Sequence, residues 1–402
     1  MAKKERPPTP AGYWVIWTTV ALDLIGFGMI VPILGRYAER FGAGGLEVGL
    51  LFASFSVAQM IFSPVLGKLS DRIGRKPVII IALVGSSVGS FITGAAGALW
   101  VLFLGRFLDG ASGASIAVAQ GAVADIAPPE QRARLMGMLG AAFGLGFVLG
   151  PALGGLAALG GPHVPFYIAG TLAAINAIAA YIRLPETKPA PVPASAASEP
   201  AATAESASSD GPRSPVLVRF AVVSFLATFA FSGFEATFSI FGRERFDLTE
   251  ATTAVVFLFI GVVLVAVQGL GIGRMTAAWG SRKMLRGGLA MVGVGLFVLS
   301  ASTMWPVLFV ALFLLAFGQG IATPSTTALV TEAAPPERRG EVLGYQQSVS
   351  AFARIVGPIT AGLLFDGVNA GTPYVLGGVL FFAALVAVWP VTAAVRAVSH
   401  PR

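Results

Sequence analysis

Apolar residues fall into long runs that repeat along the whole chain, at roughly 13–35, 46–66, 77–96, 99–122, 135–158, 165–183, 216–241, 251–271, 284–302, 306–330, 341–365 and 373–395. Runs of about 20 residues are long enough to cross a ~30 Å hydrocarbon core. Backbone polar groups find no water at that depth, so each run is predicted to be a helix. The pattern stops between 185 and 215, where Pro, Ala, Ser and Thr dominate and Glu199, Glu205 and Asp210 are scattered. Such a composition buries too little apolar surface to order itself and reads as a flexible linker. A tether between rocking halves and a tolerated surface loop are both open readings of it. The chain is thereby divided into six helices in 1–184, a linker in 185–215 and six helices in 216–402.

The two halves echo each other. Gly67-Lys68-Leu69-Ser70-Asp71-Arg72-Ile73-Gly74-Arg75-Lys76 returns 206 residues later as a fainter copy, Gly273 to Arg282, that keeps Gly273, Gly280 and flanking cations. Pro128-Pro129-Glu130-Gln131-Arg132 returns as Pro335-Pro336-Glu337-Arg338-Arg339, and Gly150-Pro151 as Gly357-Pro358. The expected architecture is an all-α membrane protein, with twelve transmembrane helices in two pseudo-symmetric six-helix bundles.

Composition supports this. Hydrophobic residues make up 55% and charged residues 12% of the chain, about half the charge of an average soluble domain. The net charge of +7 is laid out by topology: Arg36, Arg40, Arg243 and Arg245 fall on one side of the expected membrane and Arg106 and Arg354 within helices. All other Lys and Arg lie on the side that holds both termini, which places those termini in the cytoplasm. The basic excess follows the positive-inside bias, so no nucleic-acid partner is expected. The first run follows Lys3, Lys4 and Arg6, lacks a small-residue cleavage site and is expected to serve as its own targeting signal. With no Cys and two His, His163 in a loop and His400 in the tail, neither disulfides nor a buried metal site is expected.

Candidate chemistry lies in charges held inside helices. Asp23 sits ~15 Å from the cytoplasmic end of the first helix, where apolar walls would let a carboxylate take up protons near neutral pH. It also reads as a structural partner for an arginine. Arg106 lies ~10 Å from the outer end of the fourth helix, and Asp109 is its neighbour at i+3. A charge at that depth must face a cavity or a partner, and a self-neutralising Arg106–Asp109 pair is the bland alternative. Glu235 lies ~9 Å from the outer end of the seventh helix. It is open to binding a cationic substrate, carrying a proton, latching an outer gate, or pairing with Arg354. Gln59, Gln120, Asn176, Gln268 and Gln319 read equally as path-lining residues or as helix–helix hydrogen bonds. Gly146, Gly150 and Gly154 line one helix face beside Pro151 and Gly155, which suits close packing and a bend.

The loop between the second and third helices, with Gly67, Asp71, Arg72, Gly74, Arg75 and Lys76 in place, resembles the signature of the major facilitator superfamily. The resemblance implies that Asp71 meets the start of the eleventh helix near Glu341 and that Arg75 pairs with Asp125, holding the cytoplasmic side closed. The Leu102-x-x-x-Arg106-x-x-x-Gly110 pattern is similar to a second family signature, which implies a role for Arg106 in proton transfer. Gly146-x-x-x-Gly150-Pro151-x-x-Gly154-Gly155 resembles the fifth-helix motif of drug–proton antiporters. Leu22-Asp23-Leu24-Ile25-Gly26-Phe27-Gly28 is similar to the first helix of the tetracycline exporters. The C-terminal half matches mainly in Gly273, Gly280, Gly357 and Pro358, and its eighth to eleventh helices lack the additional His and Asp that such exporters can carry.

The expectation is a monomeric proton-coupled antiporter of the bacterial inner membrane, exporting drugs or other amphipathic small molecules, tetracycline-like compounds among them, by alternating access. Protons are the coupling ion, no other cofactor is expected, and the partners are a small-molecule substrate and the lipid bilayer. A proton-coupled sugar or metabolite transporter and a non-transporting receptor or scaffold are the rival readings. An enzyme is not expected, since no nucleophile–base set is visible.

Overall fold

A computed structural model describes residues 9–113, 115–187, 215–334 and 339–398. Most of the expected linker, 188–214, lies outside the described residues, as do Pro335–Arg338 of the second Pro-Pro-Glu repeat and His400. The described chain is helical, in order α1 (Tyr13–Glu39), α2 (Gly45–Ile73), α3 (Arg75–Gly94), α4 (Leu99–Ser112), α5 (Ser115–Ile126), α6 (Pro129–Ala158) and α7 (Val164–Arg183) in the first half. The second half holds α8 (Pro215–Phe246), α9 (Glu250–Val265), a π-turn (Ala266–Gly271), α10 (Ile272–Ala301), α11 (Trp305–Ala333), α12 (Arg339–Gly367) and α13 (Thr372–Val398). Among the described residues, ten helical stretches are long and apolar enough to cross a membrane. Two shorter apolar stretches, Leu149–Ala158 and Val255–Gln268, lie where the fifth and eighth spans were expected.

Three boundaries depart from the sequence reading. The expected fourth span lies within one apolar stretch, Leu99–Ile126, in which α4 ends in a turn at Gly113 and residue 114 is outside the described residues. The Gly113 carbonyl accepts from Gln59 Nε2 at 3.0 Å, so a polar side chain on a neighbouring helix satisfies the group that the turn frees. The loop expected after 271 is largely helical. The π-turn runs straight into α10, which is interrupted at Gly280 (φ 75°, ψ 151°). Gly67, expected in the turn between the second and third helices, instead lies inside α2, and Gly74 alone makes the turn (φ 106°, ψ 161°). Gly74 and Gly280 are the 206-residue repeat of one another, and both adopt the positive φ that side chains disfavour. The repeat legible in the sequence is therefore also a repeat in backbone geometry.

The described helices form two compact units: Met1–Ile30 with Val57–Pro189, and Val31–Ser56 with Ala190–Arg402. The first has a core of Tyr13, Ile16, Val78, Leu83, Val123 and Leu135. Polar anchors add to it, because Tyr13 donates to the Leu135 carbonyl and Asn176 to the Thr19 carbonyl. The second is aromatic, with Phe238, Phe241, Tyr374 and Phe381 buried among Leu289 and Leu312. Large apolar side chains such as Trp100, Tyr181, Ile182 and Val386 face outward, as a lipid-facing surface requires.

In the second unit, the hairpin Val31–Ser56 is fastened to α8 and α12. Arg243 pairs with Glu39 at 3.0 Å. The Asp366 carboxylate accepts the N–H groups of Gly45 and Leu46, both at 2.8 Å. An acid at that position caps the exposed donors of the first turn of α2 and complements its dipole.

Candidate functional site

Four helices of the first unit bring their polar groups together. Ser115, the first described residue of α5, donates its hydroxyl to Asp23 Oδ2 of α1. Asp109 of α4 binds Arg106 Nη1 at 2.6 Å through Oδ2, and the Ser86 hydroxyl of α3 donates to its Oδ1. Arg106 and Asp109 are both buried. Asp23 is close enough to Asp109 for their charges to interact.

The two carboxylates are held differently. Asp109 has a guanidinium on one oxygen and a hydroxyl on the other. Asp23 has, among the described residues, a single hydroxyl donor and no ion pair. Protonating Asp109 would break a buried ion pair, which costs several kcal/mol. Protonating Asp23 disturbs one neutral donor.

The glycines of the fifth-helix motif set the position of Asp23. They lie on α6, the fifth of the expected spans. A Cβ added at Gly146 would fall 2.5 Å from Leu24 Cβ, and one at Gly150 would fall 2.6 Å from Gly28 Cα. A Cβ at Gly154 would run into the carbonyl of Met29, and one at Gly28 would lie 2.6 Å from the Gly146 carbonyl oxygen. Backbone therefore rests on backbone over the turn and a half of α1 that follows Asp23. Pro151 lies within α6, and Gly155 is buried beside it.

At the other end of the unit, Arg75 gathers the loop. Its Nη1 reaches Asp71 at 2.6 Å and Ser70 at 2.7 Å, and its Nε reaches Asp125 at 2.9 Å. Asp71 and Arg72 are exposed, and a Cβ at Gly67 would meet nothing within 4 Å. Glu186 escaped the sequence reading. Its carboxylate accepts the Arg75 and Lys76 N–H groups at 2.8 and 3.2 Å, capping α3. An acid just beyond the last helix of the first half was a visible signal, but its partner lies 111 positions away.

In the second unit, Glu235 of α8 is half-buried and feels the charge of Arg354 on α12. The two helices touch where Gly357 meets the Phe229 carbonyl and Gly233 faces Ala361. The polar residues that sequence could not sort are resolved in two cases. Gln59 and Asn176 both make hydrogen bonds between helices.

The sequence pattern of the Major Facilitator Superfamily matches residues 16–273 and 265–401. The chain belongs to the major facilitator superfamily. It is 31% identical to the class E tetracycline resistance protein of Escherichia coli over 381 residues, spanning 91% of this chain and 92% of that protein. It is 30% identical to multidrug resistance protein 2 of Bacillus subtilis (strain 168), with 92% of each covered. Among solved structures, the human organic anion transporter MFSD10 (TETRAN) superposes with a TM-score of 0.71 at 25% identity, covering 95% of this chain and all of that one. As a superfamily member the chain is a multi-pass membrane transporter and not an enzyme, and its small-molecule substrate crosses the bilayer in which it is embedded.

Proposed function

We propose that this transporter is a proton-driven exporter of amphipathic small molecules in the bacterial inner membrane, with both termini cytoplasmic. The observation that carries the reading is the unequal treatment of two neighbouring carboxylates. Asp109 is locked to Arg106, and Asp23 is left with the hydroxyl of Ser115. A proton arriving from outside binds Asp23, favours one conformation, and leaves toward the cytoplasm in the other. One proton moving down 100 mV contributes about 2.3 kcal/mol, enough to bias the exchange by more than tenfold. Arg106 and Asp109 hold the local field constant while Asp23 changes charge, and Glu235 in the second unit takes part in binding or coupling.

The cytoplasmic gate is built from Asp71, Arg72, Gly74, Arg75 and Asp125, with Asp71 meeting the start of α12 when that side closes. Drugs of the tetracycline and multidrug type are the favoured cargo, because the named relatives confer resistance to such compounds. The protein is taken to act as a monomer without a bound cofactor.

The test is efflux into a pH gradient, measured in proteoliposomes across a compound panel with and without an uncoupler. Gradient-driven transport should vanish in Asp23→Asn while the protein still folds and inserts. Undiminished, uncoupler-sensitive transport by that variant would remove Asp23 from the mechanism.

A further inference from the structure

Arg354 is not among the groups that hold Asp23 and Asp109, and its setting is unusual. It lies within the membrane-spanning part of α12, nine residues from Tyr345 and thirteen from Gly367, so about 14 Å and 20 Å from the two ends of the span. That is beyond the reach of a side chain that snorkels to an interface. Yet Arg354 is exposed, and among the described residues no hydrogen bond or ion pair holds its guanidinium. Glu235 acts on it only through space. An arginine facing acyl chains at this depth would cost several kcal/mol, so its exposed side marks a water-filled path.

The rest of α12 shows the shape of that path. Toward the Gly367 end the helix is covered by α2: Gly49 lies against the Pro358 carbonyl, Gly45 against Gly362, and Asp366 caps the first turn of α2. Toward the Tyr345 end, Gln347 is exposed and Ser350 half-exposed on the face that carries Arg354, at the seven- and four-residue spacings that stack side chains on one side of a helix. Arg354 therefore stands about one turn below a sealed segment, at the head of a polar stripe. Its five N–H donors form a planar fork suited to a carboxylate or sulfonate.

We propose that Arg354 is a substrate-recognition residue that receives the anionic group of an amphipathic organic acid, with Gln347 and Ser350 lining its approach. The proposal rests on the reading of the chain as an exporter of amphipathic molecules and narrows its substrate class to compounds with an acidic group. The acids Asp23, Asp109 and Glu235 would by themselves have favoured cationic drugs. Arg354, within the span of α12, instead rewards an anion.

The test is binding to the purified full-length protein in detergent, with no gradient, so that it stands apart from proton coupling. The probes are 1-pyrenebutyrate and its neutral methyl ester, which share a skeleton and differ in charge. The wild-type protein should bind the acid about tenfold more tightly than the ester, the factor that one charge-assisted hydrogen bond contributes. Arg354→Gln should bring the acid down to the affinity of the ester without changing the ester, and Arg354→Lys should restore part of the preference. Gel filtration and binding of the ester show that each variant is folded. Equal wild-type affinity for the two probes, binding of neither, or an acid preference that survives Arg354→Gln overturns the proposal. An intact acid preference in a protein whose efflux ignores the pH gradient would sink the coupling reading alone.

Discussion

The hydroxyl of Ser115 donates to the carboxylate of Asp23 across 92 positions of sequence. Ser115 lies at the described start of α5, and Asp23 in the middle of α1. Ser115→Ala removes the donor and leaves a partly buried carboxylate with one fewer partner. Gradient-driven efflux should fall about tenfold, and Ser115→Thr, which keeps the hydroxyl, should retain most of it. Equal activity in all three proteins would show that the bond has no part in transport.

The Arg106–Asp109 pair should behave as a unit. Arg106→Ala leaves a buried carboxylate uncompensated and should cost about 3–5 kcal/mol of stability, read as a lower melting temperature in detergent. The double variant Arg106→Gln with Asp109→Asn removes both charges and should regain most of that stability. Transport should stay lost in both. Additive destabilisation in the double variant would contradict a mutually neutralising pair.

The motif glycines should divide by position. A Cβ at Gly150 falls 2.6 Å from the backbone of Gly28, so Gly150→Ala forces α1 and α6 apart at a cost of about 1–3 kcal/mol. A Cβ at Gly67 meets nothing within 4 Å, and alanine favours a helix interior by up to about 1 kcal/mol. Gly67→Ala should therefore match or exceed the wild-type melting temperature. A loss at Gly67 as large as that at Gly150 would refute the steric argument.

Asp366→Asn should loosen the hairpin Val31–Ser56. It removes the anion that accepts the N–H groups of Gly45 and Leu46, a cap worth about 0.5–2 kcal/mol. Hydrogen exchange over residues 44–50 should speed up several-fold while exchange in α7 stays unchanged. Uniform acceleration everywhere would point to global destabilisation instead.

Much of this protein was written in short-range pattern. Runs of about 20 apolar residues leave the chain little choice but to be helical in a bilayer, and the 206-residue echo announced a repeat that Gly74 and Gly280 carry into backbone geometry. The Arg106–Asp109 pair was legible for the same reason, since three residues is one helical turn. The family resemblance implied Arg75 with Asp125, and the structure adds Asp71, four residues before Arg75, as a second partner.

What sequence could not order was everything that depends on which helices are neighbours. Ser115 looks unremarkable in the chain and Glu186 shows only as an acid past a helix end, and packing alone brings one to Asp23 and the other to the start of α3. The turn at Gly113 was equally hidden, because the hydrogen bond to its carbonyl comes from Gln59 on another helix. Arg354 was visible as a charge in an apolar run. Its exposure beside a sealed stretch of α12 emerged when α2 covered Pro358 and Gly362 and left the turn before them open. Periodicity reports which face a residue occupies, and tertiary structure alone decides what that face meets.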